Sequence, residues 1–172
     1  MSTSLYDIAV PSFKQHLDAL DAILDKAIAY AEAKKIEPDA LFNARLYPDM
    51  YTLKRQVTSA CDFAKLCVGR IAGITPPAHD DSEKTFADLK KRIAETMAVI
   101  DSVTPEQTAG AEDKAFVIKA GPRELHFNGR DYVLHFALPN FLFHCATAYG
   151  ILRHNGLEIG KRDFMRRMQP TQ

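Results

Sequence analysis

Between Ser4 and Lys34 the apolar residues Phe13, Leu17, Leu20, Leu24, Ala27 and Ala31 recur every three or four positions. That spacing places them on one face of a helix. Asp18, Asp21, Asp25 and Lys26 fall off the stripe. Pro11 lies inside the span, so the helix either starts there or kinks there, because proline cannot donate to the preceding turn. A second stripe, Leu53, Val57, Ala60, Ala64, Cys67 and Ile71, predicts a helix over about Met50 to Ala72, with Gln56 and Phe63 flanking it. Asp49 stands where an N-cap would. The segment before it, Ile36 to Pro48, reads as a loop with a short turn, apolar enough at Leu41, Phe42, Leu46 and Tyr47 to lie against the body of the protein. A third stripe, Phe86, Leu89, Ile93, Met97 and Ile100, predicts a helix from Ser82–Thr85 to about Val103. Thr85 and Asp88 resemble a capping pair. Lys90, Lys91, Arg92 and Glu95 form its expected wet face.

The period then changes. Phe116-Val117-Ile118 has strand propensity. Asn128-Gly129 sits between Glu124–Phe127 and Arg130–Leu134, a pattern that predicts a hairpin turn at Asn-Gly. Such a small β element would cap one end of a helical body, since a lone hairpin is marginal in water. The last helix runs from Leu138 to Gly156, with Pro139 suited to its first turn and Gly156 to its end. The tail Leu157 to Phe164 reads as extended or irregular, its Leu157, Ile159 and Phe164 docking onto the bundle or a second subunit.

The pattern therefore predicts one domain over residues 1–172, an all-α four-helix bundle with a small β-hairpin between helices three and four. The short link between the second and third helices points to antiparallel neighbours. The other two links are long enough to cross an end of the bundle.

Composition narrows the chemistry. Lys+Arg and Asp+Glu both number 22, and a polyanion-binding protein normally carries a basic excess. No nucleic-acid partner is expected. Lys161-Arg162 and Arg166-Arg167 form a small basic patch that reads as a solvated tail. The chain has three cysteines and no CxxC, so no disulfide framework is expected. With no signal-type segment and no apolar run long enough for a bilayer, the reading is a cytoplasmic protein without a membrane partner.

The candidate chemistry sits on the last helix. Asn140 and His144 are four residues apart and share one face among apolar neighbours. Buried polar groups need partners, which here means a metal, a ligand or other side chains. The other histidines offer less. His16 reads as packed or surface-exposed. His79 beside Asp80 and Asp81 reads as a charged surface turn, because a loop without a fixed scaffold seldom presets coordination. His135 is a weaker ligand candidate, and His154 lies toward the helix end. Tyr51, Lys54 and Arg55 can be read as an anion site or as an exposed first turn.

Three stretches carry a family resemblance: Leu46-Tyr47-Pro48-Asp49-Met50-Tyr51, Leu138-Pro139-Asn140-Phe141-Leu142-Phe143-His144, and Ile151–Gly156 with Gly160–Phe164. On these the chain resembles the DinB/YfiT-like superfamily, a metalloenzyme fold, and within it an uncharacterised bacterial branch. The resemblance implies an up-down-down-up bundle. Metal-binding members supply one histidine from the second helix and an H-x-x-x-H pair from the fourth. The matching positions here are Gln56, Asn140 and His144. Two of three ligand positions thus carry amides, whose oxygens are weak ligands for zinc or nickel. The implied metal locus is degenerate, and no resident cofactor is expected. Three functional readings follow. One is a small-ligand binding protein. Another is a metal- or thiol-dependent transferase or isomerase with His144 as ligand or base. The third is a structural or regulatory homodimer.

Overall fold

A computed structural model describes residues 3–166; Arg167 lies outside them. Four long helices form the body: α1 (Leu5–Lys34), α3 (Leu53–Ala72), α4 (Phe86–Asp101) and α6 (Leu138–His154). A short α2 (Pro38–Phe42) lies in the first connection. The strands β1 (Ala115–Ala120) and β2 (Arg123–Asn128) precede α5 (Gly129–Asp131), and α7 (Lys161–Met165) closes the chain. Ser4 and Asp7 form a capping box on α1, and Thr85 and Asp88 form one on α4. Pro11 sits inside α1, which begins at Leu5 and continues through it. Thr52, not Asp49, caps α3, its hydroxyl accepting from the Arg55 N–H. Among the described residues no helix is long and apolar enough to cross a membrane.

Named contacts fix the direction of each helix. Lys14 pairs with Asp101, and Lys90 with Asp21 and Asp25, so α1 and α4 are antiparallel. Phe13 meets Phe141 at 4.9 Å, and the Tyr30 hydroxyl donates to the Asn155 carbonyl, so α1 and α6 are parallel. Arg70, late in α3, donates to the Tyr132 hydroxyl, while Gln56, early in α3, meets His144; these two run antiparallel. Lys54 donates to the Asp81 and Glu83 carbonyls just ahead of α4, and Asp62 meets Arg92 in mid-helix. Hence α3 and α4 are parallel, and the order is up-down-down-up.

That corrects the antiparallel pairing expected from a short link. The residues between α3 and α4, 73–85, are thirteen. Fully extended, they reach roughly 43 Å. The twenty-residue α3 is about 30 Å long. The link therefore returns the whole length of α3 as a strap. Its Pro76 ring presses on Gly69, where an added Cβ would come within 2.7 Å of the proline Cδ. Further along, Lys65 donates to the Pro77 carbonyl and Arg55 pairs with Asp81.

The hairpin lies where expected in the chain, but its turn does not. The strands pair from Ala115↔Asn128 to Ala120↔Arg123, and Gly121-Pro122 makes the turn. Gly121 has φ +60°. Glycine at the first central position suits a type II′ turn, and proline fixes a negative φ at the next. Asn128 instead caps a helix, its side-chain oxygen accepting from the Asp131 N–H at 2.8 Å. Arg130 to Leu134, expected as a strand, are helical. Gly129 is needed for close approach and not for a positive φ. An added Cβ would lie 1.8 Å from the Ala111 carbonyl oxygen. Gly129→Ala must push two backbone segments apart, and a loss of about 3 kcal/mol is expected. Urea denaturation checks this, and an unchanged midpoint would refute the close-packing account.

The helical run from Gly129 continues through a wider π-helical stretch, Tyr132–Ala137, into α6. Pro139 therefore does not open the helix, as the sequence suggested. It sits just past the widened stretch. A proline ring crowds the carbonyl four residues back and offers no N–H, a combination that a π turn relieves. The tail is not irregular throughout, because Lys161 to Met165 form α7 against α1. Leu157 and Ile159 are buried in the same chain, and Phe164 packs on His16 and Tyr149.

Candidate functional site

Antiparallel packing of α3 against α6 brings Gln56 to His144. The imidazole Nδ1 lies 2.7 Å from Gln56 Oε1. The Gln56 Nε2 donates to the Tyr51 carbonyl at 3.4 Å, which turns the amide oxygen toward the ring. An oxygen can only accept, so Nδ1 carries the proton and donates. The lone pair is then on Nε2, which has no partner among the described residues. Gln56 is 1% exposed and His144 8%.

Aromatic rings hold the imidazole in place. Phe63 stacks on it at 5.5 Å, Tyr51 lies parallel at 6.3 Å, and Phe143 meets it edge-on at 5.4 Å. Burial, and after it the positive charge of Arg55, pushes the His144 pKa below its ordinary 6.5. The ring is therefore neutral at pH 7. Below pH 6.5 the unfolded chain takes up a proton here that the folded chain resists. Stability should fall as pH drops from 6.5 toward the folded pKa, and this residue adds no slope above that window. His79 is shifted the same way, first by burial and then by Arg92 and Lys65. Titration of the imidazole resonances by NMR should give a midpoint below 6.5 for His144; a midpoint at or above it would refute the desolvation argument.

His144 opens onto a depression of about 360 Å³ lined by Tyr51, Arg55, Ser59, Asp62, Phe63 and Asn140. Asn140 is part of the same wall, but its amide nitrogen donates to the Phe136 carbonyl at 2.7 Å and not to His144. The three positions singled out on sequence thus share one locus, and two of them are bonded to each other. Among the described residues no group of three or more His, Cys, Asp or Glu side chains gathers as a metal-sized cluster.

The model of a domain of unknown function, DUF1993, matches residues 5–165. The chain belongs to the DUF1993 family. A DinB family member protein from Shewanella denitrificans is 42% identical, with a TM-score of 0.91 over 98% of this chain and 95% of that one. A DinB-like protein from Bacillus subtilis, 18% identical with a TM-score of 0.57, covers 86% of this chain and 92% of its own and shares the fold. Among curated proteins nothing matches.

In this DUF1993 chain the remaining sequence candidates lie elsewhere. His135 is exposed and 4.0 Å from Asp131. His154 is exposed at the end of α6, and Asp49 is exposed in a turn. His16 is half-buried against Phe141 and Phe164. The Tyr51-Lys54-Arg55 group splits: Lys54 is spent on strap carbonyls, whereas Arg55 and Tyr51 reach the depression, with the guanidinium 5.7 Å from the Tyr51 ring.

Sequence reasoning missed Ser59, and for Asp62 as a replacement ligand it found no spacing in favour. Arg55, Ser59 and Asp62 stand at i, i+4 and i+7, a polar stripe beside the apolar one on α3. That spacing was the available signal. Asp62 is claimed by Arg92 at 2.8 Å and Lys65 at 3.2 Å. Arg92, expected on the wet face of its helix, is 2% exposed and also binds Glu83 and Asp81. His79 joins this network through Lys65 and Glu95.

Proposed function

We propose that this DUF1993 protein binds a small molecule in the α3–α6 depression through His144 Nε2, without a resident metal. The observation behind the reading is the Gln56–His144 hydrogen bond. It fixes the tautomer, orients the ring and leaves one unpaired acceptor on the depression. A metal site of the DinB/YfiT pattern needs three imidazoles, or donors of like strength. Here the Gln56 oxygen is already used to hold His144, and amide oxygens bind zinc and nickel weakly. Asp62, the carboxylate lining the depression, is already paired with Lys65 and Arg92. This donor set does not fit either metal.

The test is equilibrium dialysis against zinc and nickel with elemental analysis, followed by a thermal-shift screen of small metabolites. No retained metal is expected, together with a ligand-induced shift that His144→Phe abolishes. An equimolar amount of metal surviving dialysis would overturn the reading.

The neutral imidazole also supports a second reading, a transferase or isomerase in which His144 is the general base. The chain's own thiols do not serve such chemistry. Burial pushes Cys61 and Cys67 up to about 12, and Cys145 well above the usual thiol range. Any thiol would arrive as a co-substrate. Turnover lost in His144→Gln while binding persists would favour this reading over binding alone. A homodimer, the third reading, was expected on apolar residues of the tail and of the first helix; Leu157 and Ile159 are covered by their own bundle and do not contribute to such a surface.

A further inference from the structure

The depression holds a second unpaired polar group besides His144. Ser59 is 7% exposed, and its hydroxyl has no hydrogen-bond partner among the described residues. A serine inside a helix normally falls back on the carbonyl four residues earlier. Thr58, its neighbour, does bond a carbonyl of the preceding turn, that of Arg55. Ser59 lies on the wall of the depression without doing so.

The charges around these two groups differ in how far they are committed. Asp62 is bridged to both Arg92 and Lys65. Arg55 gives one nitrogen to Asp81, and its side chain remains 43% exposed. A cationic ligand would meet a carboxylate already paired with Lys65 and Arg92. An anionic ligand would meet a guanidinium with free N–H groups. His144 sets a further condition. Its Nε2 is an acceptor, so the ligand atom facing it must bear a hydrogen. A bare carboxylate satisfies Arg55 and Ser59 but repels the Nε2 lone pair. Phe63 and Tyr51 supply flat apolar walls for the rest of the molecule.

Building on the proposed binding role of this site, we propose that its ligand class is the small 2-hydroxycarboxylate. The carboxylate takes donors from Arg55 and the Ser59 hydroxyl. The ligand hydroxyl donates to His144 Nε2. An apolar substituent rests on Phe63 and Tyr51.

Three probes separate these requirements. Mandelate has the hydroxyl, the carboxylate and a ring. Phenylacetate lacks the hydroxyl, and benzyl alcohol lacks the carboxylate. Calorimetric titration of the full chain should rank mandelate first. Each missing group should weaken binding about tenfold or more, the loss typical of a charge-assisted or buried hydrogen bond. Arg55→Gln should weaken mandelate by a similar factor and leave benzyl alcohol unchanged. Ser59→Ala, the milder substitution, should do the same to a smaller degree with the fold intact by circular dichroism. The His144 Nε2 resonance should shift on adding mandelate and not on adding phenylacetate. If benzyl alcohol binds at least as well as mandelate and shifts that resonance, the ligand class is wrong while the site stands. If none of the three, nor any compound of the wider metabolite screen, perturbs His144, both the class and the site fall.

Discussion

Replacing Gln56 and Asn140 together by histidine is expected to create a site that binds zinc or nickel stoichiometrically. The argument starts from position. Asn140 and His144 are one turn apart on α6, and Gln56 faces them from α3, bonded to His144 at 2.7 Å. Gln56, Asn140 and His144 thus share one locus. What differs from a three-histidine pattern is donor chemistry, since imidazole nitrogen binds borderline metals well and amide oxygen does not. The metal-free double variant should be less stable than the parent, by about 1–3 kcal/mol, because the imidazole loses its buried acceptor. Saturating metal should reverse this. Binding at a thousandfold excess over Kd adds about 4 kcal/mol, a rise of roughly 10 °C in Tm for a domain of this size. The parent chain should show no metal-dependent shift. Scanning calorimetry with and without chelator makes the comparison. A folded double variant that takes up no metal would show that these positions do not correspond to a metal triad.

The reason this experiment can be framed at all is that the locus was readable in sequence. Helical spacing put Asn140 and His144 on one face, and the resemblance added Gln56 from the facing helix. The contact between Gln56 and His144 is a matter of packing angle and register, which periodicity does not encode. The roles also shifted on contact. Gln56 orients His144, and Asn140 spends its nitrogen on the backbone carbonyl of Phe136.

The fold was legible for the same reason and failed where the signal was local and ambiguous. Three apolar stripes and the apolar stretch between Pro139 and Gly156 became four helices, with the expected Thr85–Asp88 cap in place. Asn128-Gly129 has the composition of a hairpin turn and also that of a helix start. Asp131, three residues on, decided for the helix by offering its N–H to Asn128. Link length alone does not fix the direction of the strap. Thirteen residues are more than a tight turn between antiparallel helices needs and enough, when extended, to span α3, and the buried charges beneath them hold that extension. Arg92 looked like one more charge on a wet face. It stands one turn from the buried Leu89 and Thr96, whereas Lys91 faces away from the apolar stripe; the strap that arrives from outside the helix completes its burial.

Arg92 accordingly carries the largest stability effect expected of any single charged residue here. Arg92→Met should cost about 3–5 kcal/mol, the range for breaking a buried ion pair from one side. The guanidinium holds Glu83 at 2.7 Å, Asp62 at 2.8 Å and Asp81 at 3.2 Å. Glu83 is itself 9% exposed, and its second oxygen already lacks a hydrogen-bond partner. Without Arg92 it is left as an uncompensated buried charge. The exposed pair Lys14–Asp101 makes the contrast, since Lys14→Ala should cost no more than about 1 kcal/mol. Removing both ends of the buried pair, in Arg92→Met with Glu83→Leu, should recover much of the loss, because an apolar replacement of a buried ion pair is often close to neutral. Amide hydrogen exchange gives the local readout. In the single variant, exchange should quicken over the strap, around Pro77 to Glu83, more than in α1. Loosening there frees Asp81 from Arg55, so the wall of the depression should move with it. If Arg92→Met costs under 1 kcal/mol and strap exchange is unchanged, then the parallel α3–α4 pair is held by apolar packing alone and the charges beneath the strap are incidental.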